Sequence, residues 1–109
     1  MEPPPLAEEV NLLHADLCSA LADPTRILII YALDDKDYNV SELAISLGIS
    51  QPTASRHLKI LRDRGLICPI REGVSIKYQL TDHRIIEALE ILRLVLRDRL
   101  VYRASLIRS

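Results

Sequence analysis

Val40-Ser41-Glu42-Leu43-Ala44-Ile45-Ser46-Leu47-Gly48-Ile49-Ser50-Gln51-Pro52-Thr53-Ala54-Ser55-Arg56-His57-Leu58 has the pattern of two short helices joined at a glycine. Asn39, just before it, and Glu42 stand at the N-cap and third positions of a capping box, so a helix is predicted from Val40 to Leu47. Gly48-Ile49-Ser50 then forms a tight turn, in which glycine takes a positive φ and Ser50 caps the next helix. That helix is predicted over Gln51 to Arg64, with Gly65 as its stop. Leu43, Ala44, Leu47, Ile49, Ala54 and Leu58 are placed to pack between the two helices, and Ala44 is small enough for close approach. Ala54, Leu58 and Leu61 make one apolar stripe on the second. Two short helices joined this way are a helix-turn-helix.

Upstream, Leu6, Val10, Leu13, Leu17 and Leu21 recur every three to four residues, which predicts a first amphipathic helix. Asp23-Pro24 reads as an N-cap followed by a proline at the first helical position, opening a short buried second helix through Thr25 to Leu33. Asp34-Asp35-Lys36-Asp37 is a solvated loop. Downstream, Leu66 to Arg71 and Ser75 to Leu80 read as two strands around a Glu72-Gly73-Val74 turn. Thr81 or Asp82 caps a last helix whose Ile85, Ile86, Leu89, Leu92, Leu96 and Leu100 form one broad face. That face is wider than one small core needs and is expected to meet a second subunit. The expected fold class is mainly α with a small β-hairpin, a winged helix-turn-helix dimerised through its first and last helices. Residues 6–104 form the single domain, with a disordered tail at 1–5 and a C-terminal tail at 105–109.

The formal net charge of −1 hides a strong asymmetry. Residues 1–50 hold Arg26 and Lys36 against nine acids, a net −7. Residues 51–80 hold Arg56, Lys59, Arg62, Arg64, Arg71 and Lys77 against Asp63 and Glu72, a net +4. The remainder is +2. A basic island of this kind suits phosphate binding, because counterion release depends on local charge whatever the total.

The residues inside the island fit a major groove. Gln51, Thr53, Ser55, Arg56 and His57 offer donors and acceptors in the first two turns of the second helix, the part that enters the groove. Gln51 or Arg56 suits a bidentate contact to adenine or guanine, and Thr53 has a methyl for thymine and a hydroxyl for phosphate. Ser50, Lys59 and Arg62 stand where phosphates are expected. Arg71 and Lys77 flank the hairpin turn, which as a wing reaches the DNA backbone or the adjacent minor groove.

Leu21-Ala22-Asp23-Pro24-Thr25-Arg26, Val40-Ser41-Glu42-Leu43-Ala44, Ser50 through Leu58, and Arg71-Glu72-Gly73 together resemble the ArsR/SmtB family of bacterial repressors over about residues 10–100. The resemblance implies a homodimer joined through the first and last helices, bound to double-stranded DNA at a partly palindromic operator and controlled by an inducer. Two-fold symmetry would set the recognition helices about 34 Å apart, one turn of DNA.

The family's metal sites are not matched. Asp37-Tyr38-Asn39-Val40-Ser41-Glu42, where many members carry cysteines, has none. A second pattern, between the last helices, falls on Asp82, Arg84, Val95 and Asp98, and neither arginine nor valine ligates a metal, so that site is not expected, while the cofactor as a whole stays unknown. His14 and Cys18, four apart on the first helix, have a spacing that suits a soft ion. They become a site only with a third ligand such as Cys68, His83 or Asp98 of either subunit. His14, Cys18 and Cys68 are therefore the candidate sensor residues, against the plainer reading of two packed cysteines and a surface histidine. Thiol-based redox sensing is a third reading.

At 109 residues, 49% apolar and 27% charged, the composition is that of a globular domain, and no apolar run approaches the roughly 20 residues that cross a bilayer. The N-terminus lacks the features of a secretory signal, which predicts a cytoplasmic protein with reduced thiols. No enzyme is expected, since His57 has no carboxylate on its own face to orient it. The functional expectation is a sequence-specific transcriptional regulator, a homodimeric repressor released by a metalloid, metal or thiol-reactive inducer. The alternative is an inducer-independent winged-helix module for DNA binding or protein interaction.

Overall fold

The computed structural model describes residues 5–108. Helix α1 (6–21) is continuous but not uniform: α-helical Leu6–Leu12 and Ser19–Leu21 flank a π-helical segment, Leu13–Cys18. Helix α2 (Pro24–Asp35) starts on Asp23, whose carboxylate accepts from the backbone N–H of Thr25 at 2.8 Å and of Arg26 at 3.2 Å. The helix therefore continues through Asp34 and Asp35, which the sequence reading gave to a loop. Helix α3 (Val40–Leu47) carries the capping box in full: Glu42 N–H donates to Asn39 Oδ1 at 2.8 Å and Asn39 N–H to Glu42 Oε1 at 2.9 Å. Gly48 ends it at φ 66°, and Ser50 caps α4 (Gln51–Asp63) by accepting from Thr53 N–H at 3.2 Å.

Strands β1 (Ile67–Glu72) and β2 (Ser75–Leu80) pair antiparallel, with Glu72 opposite Ser75. Glu72 thus belongs to the strand, and the turn is Gly73-Val74 alone. Gly73 has φ 62°, as the first central position of a two-residue hairpin loop requires. Tyr38, ahead of α3, exchanges two backbone hydrogen bonds with Tyr78. This bridge ties the approach to the helix-turn-helix onto the wing. The Thr81 hydroxyl donates to the Gly65 carbonyl at 2.6 Å, while Asp82 accepts from Arg84 N–H at 2.9 Å, so Asp82 is the cap of α5 (Arg84–Arg108). Helix α5 runs through 105–108, where a tail was expected. Of the expected N-terminal tail, residues 1–4 lie outside the described residues.

One apolar core joins these elements. Ile29, Ile30 and Leu33 of α2 pack with Leu43 of α3, Leu58 and Leu61 of α4, Leu66 and Ile67 at the start of the wing, and Ile86 and Leu89 of α5. Among the described residues no polar or charged residue is buried, so hydrophobic burial, about 1.5–3 kcal/mol for each large aliphatic side chain, fixes the arrangement. Leu43, Ala44, Ala54 and Leu58 are buried and Leu47 and Ile49 half-buried. This is the contact set expected between the two helices.

A Cβ on Gly48 would meet nothing within 4 Å, so Gly48→Ala is expected to cost about 1 kcal/mol from the left-handed backbone alone. A urea midpoint equal to or above that of the parent chain would contradict this. Arg84 grips Asp82 with its side chain and its backbone N–H, holding the carboxyl down from the ordinary 3.8 to about 2. Because the folded value lies below the unfolded one, this stabilisation is complete above about pH 4 and is lost as pH falls towards 2. A carboxyl-carbon NMR titration should place the Asp82 midpoint near 2, and Arg84→Gln should raise it.

Candidate nucleic-acid interface

Helix α4 turns Ala54, Leu58 and Leu61 into the core, and this rotation leaves Gln51, Ser55, Arg56, Lys59 and Arg62 exposed. Ser50 is exposed at the cap, and its hydroxyl donates to Thr53 Oγ1 at 2.8 Å, so Thr53 is half-buried with its hydroxyl already engaged. The Gln51 amide donates to the Ser41 hydroxyl, pinning the first turn of α4 to the first turn of α3.

His57 differs from the residues it was grouped with. It is half-buried, with Nδ1 3.3 Å from Arg26 Nη1. A guanidinium has only donors, so Nδ1 is the acceptor and the ring hydrogen sits on Nε2. His57 therefore faces the body of the domain on at least one edge.

The bases fall into two groups. Lys59 Nζ lies 2.8 Å from Asp63 Oδ2, and Lys77 Nζ lies 3.9 Å from Glu72 Oε2. Arg56, Arg62 and Arg71 make no ion pair among the described residues. Arg62 and Arg71 meet across a cleft of about 340 Å³ between α4 and the wing, floored by Pro69, Ile76 and Tyr78. Cross-strand pairing sets this floor: Pro69 faces Tyr78 and Arg71 faces Ile76. The sequence pattern puts Arg71 on the wing, but no local signal puts Arg62 on the same cleft.

The sensor candidates stay apart. His14 and Cys18 lie in the π-helical segment and Cys18 is exposed, whereas Cys68 is half-buried on β1, its Sγ 3.8 Å from the Gln79 amide of the facing strand. Among the described residues no three of His, Cys, Asp or Glu gather as metal ligands would. At the alternative pattern, the Asp82 carboxylate is taken up by Arg84, with Nε 3.1 Å from Oδ1 and Nη2 2.7 Å from Oδ2. His83 Nδ1 lies 3.0 Å from Asp34 Oδ1 instead.

Comparison with known proteins bears on this geometry. Residues 23–68, which hold α2, the helix-turn-helix and the start of the wing, match the sequence profile described as "Bacterial regulatory protein, arsR family". The chain is 37% identical over 83 residues to the HTH-type transcriptional repressor SmtB of Mycobacterium tuberculosis, an alignment covering 76% of this chain and 62% of that protein. This chain thus spans less than two thirds of that relative. It is 41% identical over 83 residues to the HTH-type transcriptional regulator CmtR of Mycobacterium bovis, covering 75% of this chain and 70% of that one. The crystal structure of NolR from Sinorhizobium fredii superposes with a TM-score of 0.74 at 31% identity, over 87% of this chain and 96% of that one. The profile match centred on the helix-turn-helix, the identity shared with CmtR and a fold held in common with NolR place this chain in the ArsR family of bacterial regulatory proteins.

Proposed function

We propose that the chain is a cytoplasmic, homodimeric transcriptional regulator that reads double-stranded DNA with helix α4. The observation that carries the reading is the division of that helix: Ala54, Leu58 and Leu61 are buried, while Gln51, Ser55 and Arg56 stand exposed in its first two turns. Arg56, with no ion pair among the described residues, is the residue best suited to a guanine edge. Arg62 and Arg71 suit the flanking phosphates, and Lys59 and Lys77 exchange their carboxylate partners for phosphate at small cost, because exposed ion pairs are weak. The relatives named as repressor and regulator support transcriptional control as the use of that binding.

A second copy is the partner that suits the other end of the molecule. On α1, Leu6, Val10, Leu12 and Leu13 are exposed. On α5, Leu92, Leu96 and Leu100 are exposed on one side, and Ile91, Leu94, Val95, Val101 and Tyr102 elsewhere around the helix. A lone soluble domain rarely leaves so much apolar surface in water. An apolar hollow of about 200 Å³ between α2 and α5, lined by Ile27, Tyr31, Leu89, Leu92, Arg93 and Leu96, adds to the uncovered area.

Arg56→Ala is expected to weaken binding to a duplex selected by the parent chain from a random pool by about 1–3 kcal/mol, and to relax preference at one base position. Unchanged affinity and preference would sink the reading. For the dimer, Val10→Glu and Leu100→Glu, each at an exposed site, should shift sedimentation equilibrium from two chains to one. A parent chain that sediments as a monomer at tens of micromolar would refute that part.

A further inference from the structure

Two arginines away from the exposed face of α4 bind it to α1. Arg26 keeps a side chain only 14% exposed. Its Nε donates to the Ala20 carbonyl at 2.6 Å and its Nη2 to that of Ser19 at 3.4 Å, in the last turn of α1, while Nη1 reaches His57. Arg64, which caps the C-terminus of α4, donates through Nη1 to the Ala15 carbonyl at 3.1 Å and to Asp16 Oδ1 at 3.2 Å. The recognition helix is thus held at mid-length and at its end, in both cases by residues 15–20 of α1.

That stretch overlaps the π-helical segment. There Ser19 N–H donates to the His14 carbonyl, five residues back, and the Ser19 hydroxyl donates to the Ala15 carbonyl. A π turn is rare and occurs as a local interruption of an α-helix, often at functional sites. Arg64 supplies an outside donor to a carbonyl within it. Asp16 and Arg64 are 53% and 43% exposed, so their pair adds little to folding, but it fixes a direction. Arg64 thereby links the Ala15 carbonyl and Asp16 to the end of α4.

We propose that Asp16, Arg26, His57 and Arg64 are positioning residues, which set the recognition helix against α1 so that the seating of α1 on the partner subunit fixes how α4 is presented to DNA. This rests on the DNA-binding and dimer readings above. Arg64 acts here through α1 and not on a phosphate, although it belongs to the basic island.

The test uses the full chain and the selected duplex, with Asp16→Lys, Arg64→Gln and Arg64→Lys. Charge alone makes Asp16→Lys bind DNA more tightly, since it replaces an acid by a base. The positioning role makes it bind about three- to ten-fold more weakly, as for other residues that couple two elements. Arg64→Gln should weaken binding similarly with an unchanged salt slope, whereas loss of a phosphate contact would lower the slope by about 0.9 per contact. Arg64→Lys should restore affinity, because one nitrogen makes both contacts. Tighter or equal binding by Asp16→Lys, or a reduced slope for Arg64→Gln, overturns the proposal. Without DNA, both Asp16→Lys and Arg64→Gln should speed amide exchange over residues 15–20, and unchanged exchange overturns it equally. A parent chain that enriches no sequence from the pool defeats the DNA-binding reading instead, and leaves the exchange result to decide the contact between the helices.

Discussion

The orientation of α4 depends on the burial of Ala54, Leu58 and Leu61 against Ile29, Ile30, Leu33 and Leu43. Because that core holds no buried polar residue among those described, it fixes the rotation of α4 by shape and water exclusion alone. Turning the helix by one residue, about 100°, would bring Arg62 towards the core and put Leu61 in water. The cost of burying an unpaired guanidinium forbids that. The face that α4 leaves exposed is thus set from the opposite side of the helix.

Apolar packing is less able to fix the tilt of α4 or its displacement along its own axis. Directional contacts supply these. Ser50 and the Gln51–Ser41 bond tie the first turn to α3, the Arg26–His57 contact holds the middle to the junction of α1 and α2, and Arg64 holds the end to Ala15 and Asp16. The wing is placed in the same manner, by the Tyr38–Tyr78 bridge and by Thr81 on the Gly65 carbonyl.

What could be read from the sequence follows from the distance over which each signal acts. The Asn39–Glu42 box, the Asp23 and Ser50 caps, the Gly48 turn and the hairpin all join residues within a few positions of one another, and the sequence reading found each of them with boundaries off by a residue or so at most sites. The end of α2 ran two residues further, because Asp34 and Asp35 can be exposed on a helix as readily as in a loop. The Arg26–His57 and Arg64–Asp16 contacts span 31 and 48 residues, and nothing local marks them. Hence His57 was grouped with the groove-facing side chains and Arg64 was counted as one more base. The π segment was also hidden, since Leu6, Val10, Leu13, Leu17 and Leu21 keep a spacing that an ordinary α-helix satisfies.

The net +4 of the basic island is spread unevenly over its six bases within the fold, and the distribution is informative. Asp63 and Glu72, the acids counted in the island, lie beside Lys59 and Lys77, and Asp16 from α1 reaches over to Arg64. The island's bases left without an ion pair among the described residues, Arg56, Arg62 and Arg71, are all arginines, whose planar fork suits the bidentate geometry of guanine and phosphate better than a lysine ammonium does. Lysines paired to exposed carboxylates add attraction at long range and give up their partners easily on contact. The unpaired arginines need no such exchange. The fold therefore sorts one basic cluster into side chains suited to steering, side chains suited to close contact, and, in Arg64, a base whose partners lie within the protein.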